Sequence, residues 1–312
     1  MERNLALELV RVTEAAALAS ARWMGKGDGD AADRAARDAV SVVMKSVKLS
    51  GHVIIGDTDV SVAAPDKSND FPDVDIAVDA LQSIQALAYG RPHAIATIAV
   101  SNRGAFLVPP VPYMNKIAVG PEAAGRIDLK ASALDNLVNI ADAKRCYVED
   151  LTVCILDRDR HQSLINDVRS AGARIALIAD GDLTAMLATA IPTSGVDVVM
   201  GIGGSAEGVL AAAALKCVGG DLQAVFQPRD AEEEKTLQAG GYKRDTVLHV
   251  DDLVRGESTM FAATGITSSD VLQGVQFVPG GAVTHSIVMR SQSGTVRQIT
   301  AHHRFDRKPV YT

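Results

Sequence analysis

Short apolar segments alternate with helical segments along most of this chain, and this alternation restricts the fold more than any other feature of the sequence. The apolar runs lie at residues 52–56, 74–78, 94–100, 151–156, 174–179 and 196–200. Helical patterns at 134–144, 162–170 and 206–215 separate several of them, and two amphipathic helices precede the first run. The stretch from 261 to 300 is rich in Thr, Ser and Val, which predicts further strands. Such alternation is typical of α/β proteins, in which helices cover the sheets.

Length and charge exclude several other classes of protein. The 312 residues predict one large domain or two closely associated ones, with a seam near Asp150 that divides the chain into residues 1–150 and 151–312. The formal net charge of -7 and the lack of any run of Lys or Arg argue against nucleic acid as a partner. Six charged side chains interrupt the first 24 residues, so we expect neither a signal peptide nor a membrane span there.

The cysteines indicate the cellular compartment. Cys146, Cys154 and Cys217 are too few and too widely spaced for a disulfide framework. They predict reduced thiols, which are typical of a cytoplasmic protein.

Several predicted strands end on acidic residues. Asp57 and Asp59 follow the first apolar run, Asp79 follows the second, and Asp180 and Asp182 follow the run at 174–179. A single aspartate in such a place more often starts a turn or caps a helix. In an open α/β sheet, however, the carboxyl ends of the strands line the ligand crevice, so several acids there would converge. Carboxylate oxygens at such a density suit Mg²⁺ or Mn²⁺.

Two further segments are candidates for contact with phosphate. Arg158 and Arg160 follow a strand, where their guanidinium groups could bind a phosphate bidentately or form local ion pairs in a solvated turn. Residues 201–208 resemble a dinucleotide-binding loop at a helix N-terminus, and Glu207 there could serve the helix dipole or a metal ion. A dinucleotide site needs an acid after the next strand, but Asp221 precedes that strand. The carboxylates, arginines and glycine-rich loops that remain are together typical of metal-assisted chemistry on a phosphorylated small molecule.

Several motifs occur in the order found in one enzyme family. The most specific are Ile54-Ile55-Gly56, Asp75-Ile76-Ala77-Val78-Asp79, Tyr113-Met114-Asn115-Lys116, Ala179-Asp180-Gly181-Asp182, Gly201-Ile202-Gly203-Gly204 and Phe261-Ala262-Ala263-Thr264-Gly265-Ile266-Thr267. With them, essentially the whole chain resembles the class II fructose-1,6-bisphosphatases, relatives of the lithium-sensitive inositol monophosphatases. The resemblance implies a layered α/β/α/β/α fold and a cytoplasmic homo-oligomer, dimer or tetramer, of carbohydrate metabolism and gluconeogenesis. It also implies hydrolysis of the 1-phosphate of fructose 1,6-bisphosphate or a related phosphorylated sugar, with Mg²⁺ or Mn²⁺ as cofactor.

The resemblance assigns roles to particular residues, position by position. The metal-site acids are Asp33, Asp57, Asp79 and Glu207. The substrate-binding positions are Tyr113, Arg158, Arg160, Asp180, Asp182 and Gly204. The catalytic positions are Asp57, Asp59, Gln82 and Ser83.

This chain departs from the family inside the catalytic motifs. Asp57 and Asp59 stand where the family has glutamates, each one methylene longer. Gln82 replaces an acid and loses its charge, and Ile84 replaces a threonine whose hydroxyl helps to position the attacking water. Gly29 stands where a lysine would bind phosphate.

These departures leave two hypotheses. The first is a metal-dependent sugar-phosphate phosphatase with altered metal use, rate or substrate. The alternative is a catalytically impaired relative that binds a sugar phosphate or a partner subunit in a regulatory or specialised role. Retention of the four metal-site acids favours the first hypothesis, and the changes at Gln82 and Ile84 favour the second.

Overall fold

The computed structural model describes residues 5–57 and 72–307. The α-helices are α1 (Leu5–Ser20), α2 (Gly29–Met44), α3 (Ile84–Ala88), α4 (Ala133–Lys144), α5 (Gln162–Ser170), α6 (Asp182–Ala188), α7 (Ser205–Val218), α8 (Ala231–Ala239) and α9 (Val250–Leu253). The strands are β1 (Ser50–Gly56), β2 (Asp73–Gln82), β3 (Ile95–Asn102), β4 (Tyr113–Val119), β5 (Thr152–Leu156), β6 (Arg174–Ile178), β7 (Val198–Gly204), β8 (Asp221–Phe226), β9 (Leu248–His249), β10 (Met260–Gly265), β11 (Gln276–Val278), β12 (Gly281–Arg290) and β13 (Thr295–Arg304). This content confirms an α/β fold.

The chain forms two compact units. Unit 1 comprises the described residues up to Phe106 together with those from Gly256 onward, and unit 2 comprises Leu107–Arg255. Asp150, where the sequence placed a seam, lies inside unit 2. The reason is pairing between strands that are distant in sequence. β4 already belongs to the sheet of unit 2, whereas β10 returns to pair with β3 in the sheet of unit 1.

Unit 1 is built on a mixed sheet with the strand order β1-β2-β3-β10-β12-β11, and β13 also pairs with β12. β1 and β2 run parallel, and the other pairs are antiparallel. The apolar residues of α1 and α2 share one core with those of β2, β3 and β10, which includes Leu9, Val40, Ile76 and Ile98. The strand-rich segment predicted at 261–300 is confirmed as β10 to β13.

Unit 2 is built on a second mixed sheet, with the order β6-β5-β7-β4-β8-β9. β5 runs parallel to β6 and β7, whereas β4 is antiparallel to β7 and β8. Ile117 and Val119 of β4 pack with α4 and α5 in one core. Because side chains alternate along a strand, Lys116 points to the opposite face, where it reaches the start of α6.

The glycine-rich segment that the sequence predicted to be a loop is partly a strand. Residues 201–204 are not a loop, because they pair with β4 as the last part of β7, and β7 continues directly into α7. Gly201 has a φ of 125°, which a glycine tolerates in a strand and other residues do not. Among the described helices, none is long and apolar enough to cross a membrane.

Candidate active site

The carboxyl ends of β1 and β2 bring two of the predicted metal ligands to neighbouring positions in unit 1. The two strands pair in parallel, with Gly56 opposite Val78. Asp57 follows β1 directly, and its N–H group donates a hydrogen bond of 2.9 Å to the carbonyl oxygen of Val78. Its Oδ2 atom accepts a hydrogen bond of 2.7 Å from the N–H group of Ala80, the residue after Asp79 in β2. The register of the parallel pair therefore brings Asp57 and Asp79 to neighbouring backbone positions.

Asp33, the third acid assigned to metal binding in this unit, lies in α2. Asp28 caps this helix, and its Oδ1 atom accepts a hydrogen bond of 2.9 Å from the N–H group of Ala31. Oδ2 of Asp33 forms an ion pair of 2.8 Å with Nη2 of Arg37, one turn further along. Within residues 5–57 and 72–307, no three His, Cys, Asp or Glu side chains form a group that could hold a metal ion. Asp59 lies outside the described residues.

A strained turn ends β2 and contains two of the predicted catalytic residues. Gln82 is buried, and Ser83 has a φ of 67°, in the left-handed region that residues other than glycine rarely adopt. The Ser83 hydroxyl donates a hydrogen bond of 3.0 Å to Oε1 of Gln82. Backbone strain of this kind costs about 1–3 kcal/mol and is concentrated at functional sites. The turn therefore uses Ser83 to orient the Gln82 amide.

Ile84 and Gly29, two departures from the family pattern, are in contact with each other. A Cβ atom added at Gly29 would lie 2.6 Å from Cγ2 of Ile84, which is too close for any side chain. Ile84 is partly buried and packs against the core of unit 1. The space that a larger residue at position 29 would need is therefore filled by the isoleucine at position 84.

In unit 2, a buried ion pair lies where β6 and β7 end. Nζ of Lys116 lies 2.8 Å from Oδ2 of Asp182 and donates a hydrogen bond of 2.7 Å to the carbonyl oxygen of Gly204. Asp182 is the first residue of α6, and Glu207 lies in the first turn of α7. The carboxylate of Glu207 folds back over Gly204, where a Cβ atom would overlap with it. An ammonium group and two carboxylates are thereby collected at one end of the sheet.

Two acids at this end of the sheet, Glu207 and Asp180, have raised pKa values. Burial raises the pKa of Glu207, and the charge of Asp182 raises it further, whereas Lys116 acts in the opposite direction. Burial is also the main reason why the pKa of Asp180 is raised, and Asp182 again adds to it. A backbone hydrogen bond and the charge of Arg158 oppose that rise. Acids whose pKa values are raised by burial and by a neighbouring carboxylate are a common feature of functional sites.

Three arginines surround the same end of the sheet. The guanidinium groups of Arg160 and Arg229 lie 5.8 Å and 5.6 Å from the ring centroid of Tyr113. Nη2 of Arg160 donates a hydrogen bond of 2.8 Å to a backbone carbonyl of β7, and Nη2 of Arg158 donates one of 2.7 Å to Ala179. Backbone acceptors therefore fix both guanidinium groups that the sequence predicted.

The topology of unit 2 brings the six predicted substrate-binding residues to one edge. β5, β6 and β7 are parallel, so the residues that follow or end them lie at the same edge of the sheet. β4 runs the other way, and its first residue, Tyr113, pairs with the last residue of β7, Gly204. A cavity of about 390 Å³ opens beside Arg160 and is also lined by Asn115, Ser163 and Met200. Its volume is within the range of small-molecule pockets.

The sequence interpretation missed three residues of this edge. Lys116 lies in an apolar strand, and its role depends on Asp182, which is 66 residues away in sequence. Arg229 follows β8 in a segment rich in charged residues, which made it inconspicuous in the sequence. An arginine directly after a strand is nevertheless the same signal that identified Arg160. His161 is buried beside Arg160, and both of its ring nitrogens contact backbone groups.

The chain is similar to known proteins over nearly its whole length. Residues 3–303 match the family model described as bacterial fructose-1,6-bisphosphatase, glpX-encoded. A D-fructose 1,6-bisphosphatase class 2/sedoheptulose 1,7-bisphosphatase of Thermosynechococcus vestitus is 36% identical over 340 residues, covering 99% of this chain and 98% of the relative. A protein with the same name from Microcystis aeruginosa is 35% identical, over 100% of this chain and 99% of its own length. Another from Synechocystis sp. is 35% identical, over 97% of this chain and 97% of its own length.

Proposed function

The chain belongs to the family of bacterial fructose-1,6-bisphosphatases, which are phosphoric monoester hydrolases, and from this we propose that it removes the 1-phosphate of fructose 1,6-bisphosphate or sedoheptulose 1,7-bisphosphate with the help of a divalent cation. The observation that supports the proposal most is the edge of unit 2, where the guanidinium groups of Arg160 and Arg229 lie against Tyr113 and the buried ion pair of Lys116 and Asp182 lies at the same end of the sheet. We further propose that the protein is cytoplasmic, that it assembles as a homodimer or homotetramer, and that it acts in gluconeogenesis.

The residues of unit 2 can bind a phosphorylated sugar by ordinary recognition chemistry. Arg158 and Arg160 supply guanidinium donors to the phosphate that does not react, and such charge-assisted bonds are the strong ones. The hydroxyl of Tyr113 adds one more donor. Asp180 and Asp182 are acceptors, which suit the hydroxyl groups of a sugar.

A divalent cation fits the chemistry of the acids in both units. In unit 1, Asp57 and Asp79 lie at neighbouring backbone positions, and with Asp33 of α2 they supply carboxylate oxygens, the hard donors that Mg²⁺ and Mn²⁺ prefer. Because the described acids do not form a ready group of three ligands, a cation would have to draw these side chains together. In unit 2, burial raises the pKa of Glu207, and a carboxylate that is costly to ionise gains from a nearby cation. When bound, the cation neutralises charge at the phosphoryl group and lowers the pKa of water.

The proposed catalytic residues differ in what they can do. Gln82 and Ser83 are uncharged, and the hydrogen bond between them fixes the amide so that it can orient a neighbouring group. Asp57 is ionisable, and its Oδ2 atom is held by the N–H group of Ala80. We therefore assign proton acceptance to Asp57, with Asp59 as the second acid in the same motif.

A screen for phosphate release tests the proposal. The protein is incubated with sugar mono- and bisphosphates in the presence of Mg²⁺ or Mn²⁺, and again with a chelator. We expect phosphate to be released from fructose 1,6-bisphosphate and sedoheptulose 1,7-bisphosphate only when the cation is present. We expect little release from the monophosphates. Release from no phosphorylated sugar, with binding retained, would contradict hydrolysis and favour the alternative of a binding or regulatory relative.

A pair of arginine variants tests the assignment of the substrate edge. Arg160→Ala should raise the KM for the preferred bisphosphate by about 10- to 100-fold, because hydrogen bonds to charged groups contribute about 1.5–3 kcal/mol. Arg244→Ala is the matched control, since Arg244 is also an exposed arginine of unit 2 and faces Glu234 instead of Tyr113. Equal KM values for the two variants would place the phosphate elsewhere.

A further inference from the structure

We propose that Lys116 is a positioning residue, whose ammonium group holds the Asp182 carboxylate and the Gly204 carbonyl in the arrangement that receives the sugar phosphate. The inference rests on the proposed function, because it concerns the same substrate edge of unit 2. It goes beyond that function by assigning a role to a residue that does not itself contact substrate.

The burial of Lys116 is the first observation. Its side chain is only 2% exposed, although lysine is almost never fully buried unless it is paired. Its ammonium group donates to two acceptors, Oδ2 of Asp182 at 2.8 Å and the carbonyl oxygen of Gly204 at 2.7 Å. These acceptors belong to the start of α6 and the end of β7, so one group fixes two segments of chain. Both acceptors are proposed substrate-binding positions.

The glycines around Lys116 are the second observation. A Cβ atom at Gly203 would overlap with Oδ2 of Asp182 and would lie 3.0 Å from Nζ of Lys116. A Cβ atom at Gly208 would lie 3.2 Å from Cδ of Lys116. The glycine-rich segment therefore leaves room for the lysine and its carboxylate partner. This accounts for a motif that, from the sequence, resembled a dinucleotide-binding loop.

Electrostatics supports the same role. The ammonium group of Lys116 lies 2.8 Å from the Asp182 carboxylate, so the two buried charges compensate each other. Breaking a buried ion pair by removing one partner leaves the other charge uncompensated. Loss of the ammonium group should therefore displace Asp182 and not merely remove one bond.

The test compares Lys116→Met with Lys144→Met. Lys144 is a matched control, because its Nζ atom also contacts a partly buried carboxylate, Asp197 at 2.7 Å, while it lies in α4 away from the substrate edge. We expect Lys116→Met to raise the KM for fructose 1,6-bisphosphate by roughly tenfold or more, the scale of loss when the partner that orients a ligand is removed. The kcat should change less, and Lys144→Met should leave KM unchanged.

A double-mutant cycle shows whether Lys116 acts through Asp182. Asp182→Asn should raise KM by itself, and adding Lys116→Met should raise it little further, because residues that act as one unit are non-additive. Fully multiplicative effects of the two substitutions would overturn the inference.

Gly208→Ala keeps the test valid if Lys116→Met fails to fold. Gly208 lies inside α7, where alanine has the higher helix propensity, so this variant should keep its melting temperature while it displaces the stem of Lys116. We expect a raised KM with a normal melting temperature. An unchanged KM in a stable Gly208→Ala protein would show that Lys116 is only structural. A wild-type protein that neither binds nor hydrolyses the bisphosphate would instead contradict the proposed function.

Discussion

His161 is a buried residue of unit 2, and backbone groups contact both of its ring nitrogens. Its Nδ1 atom lies 2.7 Å from the carbonyl oxygen of Leu156, and its Nε2 atom accepts a hydrogen bond of 2.8 Å from the N–H group of Ile202. This pattern requires a neutral ring with the proton on Nδ1. Burial lowers the pKa of His161, and the charges of Arg160 and Arg158 lower it further.

The lowered pKa of His161 predicts a loss of stability in mild acid. Below about pH 6.5 the His161 ring binds a proton in the unfolded chain, whereas in the folded chain it stays neutral down to its lower pKa. The free energy of unfolding should therefore fall as the pH drops from about 6.5 towards the folded-state pKa, and be constant above that range. Denaturant titrations between pH 5 and 8 measure this slope. His161→Gln should flatten it, and His302→Gln, an exposed control on β13, should not. An equal slope in all three proteins would contradict the account.

The contact between Gly29 and Ile84 gives a second prediction at this scale. Gly29→Ala should destabilise the protein by about 1–3 kcal/mol, the usual cost of overpacking, because its Cβ atom would meet Ile84. In an Ile84→Ala background the same change should be close to neutral. Thermal or denaturant unfolding of the four proteins measures the coupling. Additive effects would mean that the two residues are independent.

At the scale of elements, helix α2 carries Asp33, and its start depends on one capping residue. Asp28→Ala removes the acceptor for the N–H group of Ala31 and should cost about 0.5–2 kcal/mol. Asp30→Ala is the control, because Asp30 lies in the same first turn without capping it. Unfolding curves should separate the two variants. Equal losses would show that helix-dipole charge, and not the cap, stabilises α2.

Sequence alone predicted most elements but not all of their ends. The apolar runs identified the strands because Val, Ile and Leu suit buried pleated surfaces. The glycines that end β7 were misinterpreted because glycine disfavours strands locally, and only pairing with β4 keeps them extended. α3 has five residues, too few for a periodic pattern. Lys116 was missed for a similar reason, since its burial is decided by Asp182, far away in sequence.

At the scale of the whole molecule, a chain with a net charge of -7 and several acids at strand ends should be stabilised by a cation. An ion that binds only the folded state raises stability by mass action, by about 2.7 kcal/mol at 100 times its Kd. We expect saturating Mn²⁺ to raise the melting temperature of the wild-type protein. Asp79→Asn should reduce the shift, and Asp245→Asn, an exposed acid in unit 2, should leave it intact. An unchanged melting temperature, with no heat of binding in calorimetry, would contradict the proposed metal site.

Phosphorus NMR of fructose 1,6-bisphosphate in the presence of the protein and diamagnetic Mg²⁺ tests the proposed hydrolysis most directly. The two phosphates of the substrate give separate signals, so the spectrum shows which ester is broken. We expect the 1-phosphate signal to disappear, inorganic phosphate to appear in equal amount, and fructose 6-phosphate to accumulate. Loss of the 6-phosphate, or a spectrum that stays unchanged while the folded protein binds Mg²⁺, would contradict the proposed hydrolysis.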